Sequence, residues 1–297
     1  FRSGNVTDGG MKFISELRAL DELDLGGLTL TDAALEHVNG LTRLRFLNLP
    51  PGVTGAGLAR LAPLSNLEYL DFADTIQDND LRRLPPLRRL RQLHLFRASI
   101  TDAALQNVGE LISLEDLVLS RTPITDAGLE KLRRLTRLKR LSLSGTNITD
   151  AGLRHLAAMQ QLEHLDLVGT QVSGTGFAEL GGLGQLHTVW LGGSVTDEGL
   201  QHLGRITCLK TLIIESSLIT DDGLAGLSSL KNLEHLRISS STAITDAGLV
   251  HLECLPKLQY LDTSNTGVTS AGLERWNLVM ERLYGERSTR ANDDPLE

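Results

Sequence analysis

Aromatic residues make up only 4% of the 297-residue chain, so any core it builds is aliphatic. Its two cysteines, Cys208 and Cys254, exclude a disulfide framework or a zinc cluster, since either needs several Cys or His at close spacing. No run of eighteen apolar residues occurs, so no segment reads as a helix crossing a membrane. Nothing at Phe1 resembles a secretory leader. Gly-rich phosphate loops, a G-x-S-x-G elbow and an H-E-x-x-H helix are all missing. Positive charge is in deficit: the formal net charge of -8 weighs against nucleic acid or an anionic membrane surface as partner.

What is present is one pattern written many times. A β-branched residue, usually followed by Thr-Asp, then two small residues and Leu, recurs along the chain. Examples start at Ile100, Ile124, Ile148, Ile219 and Ile244, and the spacing is always 23 to 25 residues. Twelve such anchors, from Val6 to Val268, define eleven turns. Self-similarity at this period means stacked supersecondary units that bury a shared core. No linker or composition break interrupts it, which predicts one repeat domain over residues 1–273.

Each turn has two halves. In the second half Leu-x-x-Leu-x-Leu, as in Leu114, Leu117 and Leu119, alternates apolar with polar and predicts a strand with one buried face. Successive strands then lie side by side as a parallel sheet. In the first half the spacing of Leu129, Leu132 and Leu135 predicts a short α- or 3₁₀-helix with one inward face. Thr125 stands at the N-cap position and Asp126 in the first turn, where a carboxylate suits the helix dipole. Gly128 costs a helix up to about 1 kcal/mol against Ala and is expected to permit close approach to the neighbouring turn; Ala34 and Ala104 fill the same slot. A column of hydroxyls (Thr75, Thr122, Thr146, Thr170, Ser194, Ser217, Thr266) is expected to satisfy backbone groups from turn to turn. Pro85-Pro86 is expected to replace one helix with extended chain.

These anchors and leucines resemble the leucine-rich repeat proteins. The Thr-Asp-Ala-Gly-Leu form is similar to the cysteine-containing subclass of F-box adaptors and to a related bacterial subclass. The likeness runs from residue 6 to about 273, although Thr122, Thr146 and Thr170 stand where that subclass often has Cys. It implies an α/β solenoid, a horseshoe of about eleven repeats, with a parallel sheet on the concave side and short helices on the convex side. It also implies a non-enzymatic scaffold that binds a protein on the concave face. Two other roles remain open: the substrate receptor of an F-box-like assembly whose docking domain lies upstream, and a secreted or surface adhesion module. A monomer without cofactor or metal is expected, with a cytoplasmic location slightly favoured.

At the C-terminal end Leu273, Trp276, Met280 and Leu283 predict a capping helix over 274–284, and the polar tail 285–297 predicts disorder. At the other end Val6 opens directly into a repeat, so the natural chain is expected to continue upstream.

Function then falls to the residues between the strand leucines. Seven carboxylates (Glu22, Asp24, Asp71, Asp116, Asp166, Glu215, Asp262) face two arginines (Arg140, Arg237), which favours a basic partner. Exposed apolar side chains form two groups, Phe46 with Tyr69 and Phe96, and Val168 with Trp190 and Ile213. Large apolar groups on a surface that does not need them for folding predict contact sites. His164 with Asp166, near Arg140 and Ser142, is the nearest approach to a catalytic cluster, but an open face does not exclude water. His164 and His235 lie three turns apart, too far for one metal ion. A basic run, Arg82, Arg83, Arg88, Arg89, Arg91 and Arg97, with a second group from Arg133 to Arg140, occupies the helical side and the strand entry. Cys208 and Cys254 fall in polar columns and are expected to be partly exposed, with no structural role.

Overall fold

The computed structural model describes residues 6–72 and 74–285, and it separates into two compact units, 1–147 and 148–297. In the first unit six short strands pair in parallel in sequence order: β1 (Glu22–Asp24), β2 (Phe46–Asn48), β3 (Tyr69–Asp71), β4 (Gln92–His94), β5 (Asp116–Val118) and β6 (Arg140–Ser142). In the second, five do the same: β7 (His164–Leu167), β8 (Thr188–Leu191), β9 (Thr211–Glu215), β10 (His235–Ser239) and β11 (Tyr260–Asp262). The register aligns equivalent residues, so Leu47, Leu70, Leu93, Leu117 and Leu141 form one buried rung. Helical segments join the strands; some are α, as at Asp126–Leu132 and Asp197–Leu203, and others 3₁₀, as at Ala34–His37 and Thr175–Leu180. Their leucines meet the strand leucines in a core that contains few aromatic rings, the largest fully buried one being Phe177.

The Thr-Asp pair does more than cap a helix. Thr125 caps its own helix, accepting from the Ala127 amide at 3.3 Å. Its backbone N–H and its hydroxyl also donate to the two carboxylate oxygens of Asp102, one turn earlier, at 2.8 and 2.6 Å. The same two-point bond joins Asp8 to Thr31, Asp32 to Thr54 and Asp78 to Thr101 in the first unit. In the second it joins Asp197 to Thr220, Asp221 to Thr245 and Asp246 to Thr269. Each aspartate is therefore a clasp to the next turn and not only a dipole partner. Where the anchor reads Thr54-Gly55 and the next has Gln77, Asp80 substitutes by accepting from the Gly55 amide at 2.7 Å.

The clasp also brings the slot of the glycine close to a carboxylate, although Ala34 and Ala104 fill that slot beside the clasps of Asp8 and Asp78. A Cβ on Gly128 would stand 2.4 Å from the carboxylate of Asp102, and one on Gly223 2.1 Å from that of Asp197. The close approach expected at this slot is an approach to the neighbouring carboxylate.

The hydroxyl column differs in part from expectation. Thr122, Thr146, Thr170 and Thr266 donate within their own turn, to the carbonyl three residues back, at 2.6 to 2.7 Å. Only Thr75 and Ser194 reach the preceding turn, at Pro51 and Thr170. Ser217 is exposed, and Ser216 takes the buried place, donating to the Val195 carbonyl at 2.8 Å.

Cys208 is half-buried and does have a structural part. Its thiol lies 3.2 Å from the carbonyls of both Leu183 and Leu186, as Ser113 and Asn232 reach carbonyls from the same column, and burial raises its pKa. The Pro85-Pro86 turn keeps a four-residue helix, Asp78–Leu81, before running extended through Leu87.

The last helix, Ser270–Tyr284, starts four residues earlier than expected because Thr269 caps it through the Gly272 amide. It buries Trp276 and Met280, half-buries Leu273 and leaves Leu283 exposed, the terminal contact coming from the Tyr284 hydroxyl to the Glu253 carbonyl. The expected disordered tail lies outside the described residues except for Gly285. The expected missing N-terminal cap concerns residues 1–5, also outside them; from Asp8 to Glu16 the chain is a 3₁₀ helix that buries Met11 and Ile14.

After each strand the chain turns sharply, and Gly27, Gly145 and Gly169 take positive φ there. Arg97 and Arg121 occupy the same turn with φ of 58°. A side chain in left-handed backbone is strained by Cβ contact with the carbonyl. Arg97→Gly is therefore expected to raise stability by about 0.5–1 kcal/mol. Thermal unfolding checks this, and a lowered midpoint would mean that the Arg97 side chain contributes more than the strain costs.

Candidate functional site

The strands expose one residue in two on the face opposite the leucines. In the first unit the rungs read Glu22, Phe46, Tyr69, Gln92, Asp116, Arg140 and then Asp24, Asn48, Asp71, His94, Val118, Ser142. The register brings Phe46 and Tyr69 together: their rings stack with centroids 4.1 Å apart and planes 11° off parallel. The expected third member, Phe96, is not in this group. It lies past the end of β4, in the turn, 44% exposed, with the Arg121 guanidinium over its ring at 5.7 Å. His94 takes its place, edge-on to Tyr69 at 4.9 Å.

A polar knot sits beside the rings. The Tyr69 hydroxyl donates to Asp71 at 3.1 Å and lies 3.0 Å from Nδ1 of His94, whose ring nitrogen is 3.9 Å from Asp71. Burial pushes the Asp71 carboxyl above the ordinary carboxylate range despite His94 and the Tyr69 hydroxyl. The Tyr69 phenol is pushed up strongly, first by burial and then by the Asp71 charge. Nothing in the composition of this stretch signalled the knot; Tyr69 and Asp71 share β3, but His94 lies 25 and 23 residues on and meets them only through the register.

Charge on this face is partly matched. Arg140 pairs with Asp116 at 2.7 Å. Asp24 accepts from the Asn48 side chain and the Gly26 amide, and neither Asp24 nor Glu22 has a cation within ion-pair distance among the described residues.

In the second unit one rung reads Asp166, Trp190, Ile213, Arg237, Asp262, and the next His164, Thr188, Thr211, His235, Tyr260. Trp190 is 37% exposed and directly flanks Ile213, which is half-buried. Val168 stands off this rung. It lies beyond β7 in the turn, with its amide donating to Asp166 at 3.1 Å and its backbone close against Gly192. It borders the patch diagonally. Arg237 pairs with Asp262 at 3.3 Å.

His164 and Asp166 both face outward from β7, on adjacent rungs. No group of three or more His, Cys, Asp or Glu side chains among the described residues could hold a metal ion, and no described helix is long and apolar enough to cross a membrane.

Stacked turns, aspartate clasps and an open parallel sheet define a repeat scaffold, and comparison with known proteins agrees. The family profile described as "Leucine-rich repeat region" matches residues 1–270, and the chain belongs to the leucine-rich repeat family. No curated protein matches the sequence significantly. Among solved structures it is similar to an internalin (inlF) from Listeria monocytogenes, at TM-score 0.65 and 20% identity over 97% of this chain and 90% of that one. It also matches an internalin C2 (inlC2) from the same organism, at TM-score 0.49 and 27% identity over 67% of this chain and 80% of that one. The family and fold are those of protein-interaction scaffolds.

Proposed function

We propose that this protein is a non-enzymatic binding module that holds a protein partner on the open face of its sheet, anchored in the second unit by Trp190 and Ile213. One observation carries this reading: a 37%-exposed tryptophan stands in register with an isoleucine on a face whose folding needs neither. Tryptophan in such a setting is the residue type that most often dominates interface energetics. Val168 and the His164–Asp166 pair form its border. Phe46 and Tyr69 offer a second apolar contact in the first unit, with Arg140 at the far end of their rung. Phe96, bracketed by Arg121, belongs to the rim.

The carboxylates on this face point to a basic partner. Glu22 and Asp24 have no cation within ion-pair distance among the described residues, and complementary charge raises the rate of encounter and disfavours wrong partners. The Asp–Thr clasps repeated through both units support grouping these repeats with the Thr-Asp-Ala-Gly-Leu subclass.

Trp190→Ala is expected to leave the thermal midpoint nearly unchanged and to weaken partner binding by about 2 kcal/mol or more. The partner would be retained from native extract on the wild-type protein, purified, and titrated against Trp190→Ala, Ile213→Ala and Val250→Ala. Val250 is exposed on a helical segment and serves as the control. Equal affinity for all four proteins would overturn the reading.

A further inference from the structure

The middle of the basic run, Arg88, Arg89 and Arg91, lies at the edge where the chain enters β4, and the strand-face reading does not use it. Arg88, Arg89, Arg91 and Arg137 line a cleft of about 230 Å³ there, together with Glu68 and Glu115. Both carboxylates are already fully engaged. Glu68 takes a two-point bond from the Arg45 guanidinium, at 3.2 and 2.9 Å. Glu115 binds Arg91 through one oxygen at 3.2 Å and Lys139 through the other at 2.9 Å. These bonds hold both glutamates below their ordinary pKa, so they stay ionised and stay occupied.

That leaves Arg88, Arg89 and Arg137 without a direct ion pair among the described residues, although Arg89 still feels Glu68 and Arg137 still feels Glu115 at longer range. Arg89 reaches only a neutral group, the Asn66 amide oxygen at 2.7 Å. Arg88 and Arg137 have no carboxylate within ion-pair distance among the described residues. The cleft wall thus carries four guanidiniums against two carboxylates, in a chain whose net charge is -8. Some arginines elsewhere on this unit are paired, as Arg134 is with Glu110 and Arg60 with Glu36.

We propose that this cleft binds a doubly charged tetrahedral oxyanion, the phosphate of a phosphate monoester or free phosphate, through Arg88, Arg89 and Arg137. The guanidinium fork matches the oxygen geometry of phosphate, and several forks converging on one concavity act together. The surplus favours the more highly charged ligand: three guanidiniums outside any direct ion pair are better met by a dianion than by a single carboxylate. Ser113 does not take part as a donor, because its hydroxyl is committed to the Arg88 carbonyl at 2.8 Å; that bond also fixes the backbone from which Arg88 projects.

The test is calorimetric titration of the full chain with inorganic phosphate at pH 8, with total ionic strength held constant by chloride. Saturable one-to-one binding is expected, and the double variant Arg88→Gln with Arg137→Gln is expected to weaken it at least tenfold. A second double variant, Arg97→Gln with Arg121→Gln, removes the same charge from a different edge and is expected to bind as the wild type does. Phenyl phosphate and phenyl sulfate, titrated in parallel, separate the dianion from the monoanion, and the phosphate ester is expected to bind more tightly. Circular dichroism confirms that both variants fold. Absence of saturation, equal weakening in the two double variants, or equal affinity for the two esters would overturn the proposal.

Discussion

Replacing Leu141 with Ala is expected to lower the unfolding free energy of the protein by about 2–5 kcal/mol. Leu141 is 1% exposed, at the centre of β6, and faces Leu117 across the sheet. The helical half of its turn brings Leu129, Leu132 and Leu135, each fully buried, onto the same core. Truncation removes the transfer free energy of the lost methyl groups and leaves a cavity. The rung is held by Leu117 and by the backbone hydrogen bonds from β5 to β6, so the cavity cannot close by a small shift. Val118→Ala, on the open face of β5, is the comparison and is expected to cost under about 1 kcal/mol. Urea unfolding followed by circular dichroism measures both. A cost at Leu141 no larger than at Val118 would show that the turn collapses around the gap.

Asp150→Ala has the second largest expected effect, about 2–4 kcal/mol. Its carboxylate accepts four hydrogen bonds from the following turn: the Ser173 amide at 2.9 Å, the Ser173 hydroxyl at 2.7 Å, the Gly174 amide at 3.0 Å and the Gly176 amide at 2.8 Å. Loss of the carboxylate strands these donors in a half-buried junction, where water replaces only part of what was lost. The effect has a pH signature. Burial pushes the Asp150 carboxyl up, but the hydrogen bonds from Gly176, Ser173 and Gly174 outweigh it and hold the group below its ordinary 3.8. A carboxyl depressed in the folded state contributes fully above its unfolded pKa, and the contribution fades as pH falls through the folded value. The gap between wild type and variant is therefore constant from neutral pH to about pH 4 and narrows below it. A gap unchanged at pH 2.5 would mean that the aspartate acts through packing and not through its charge.

The leucines, the anchors and the β-branched residues made the fold legible, because a period of 23 to 25 residues with both a helical and a strand half admits few architectures. The link between turns was harder to read. Asp102 looks like a first-turn helix acid, and nothing local shows that its partner is Thr125, which belongs to the next turn. Counting from the strand leucines points to Ser217, but β9 runs on to Glu215 and Ser216 takes the buried place behind it. On the candidate surface, parity placed Phe46, Tyr69, Trp190 and Ile213 correctly on the outward face. It failed at Phe96 and Val168. The strands end before these positions, and once the chain enters the turn, equal parity no longer means the same face. His94 was missed as a partner of Tyr69 because no property of its own sequence segment announces a contact made through register.

The Asp–Thr clasp has a consequence for how such a chain can grow. Every junction of this kind is written with the same two letters, one contributed by each side. A segment cut from Asp102 to Thr125 removes one complete period and leaves Thr101 joined to Asp126. Asp78 still finds Thr101 behind it, and the next turn still receives an aspartate of the right kind. Copy number can change by whole periods without either splice point needing a new partner. A cut of a fraction of a period has no such freedom. Duplication and loss at the level of the gene are therefore tolerated in whole periods only, and the near-constant spacing of the anchors is what that length lock would leave behind.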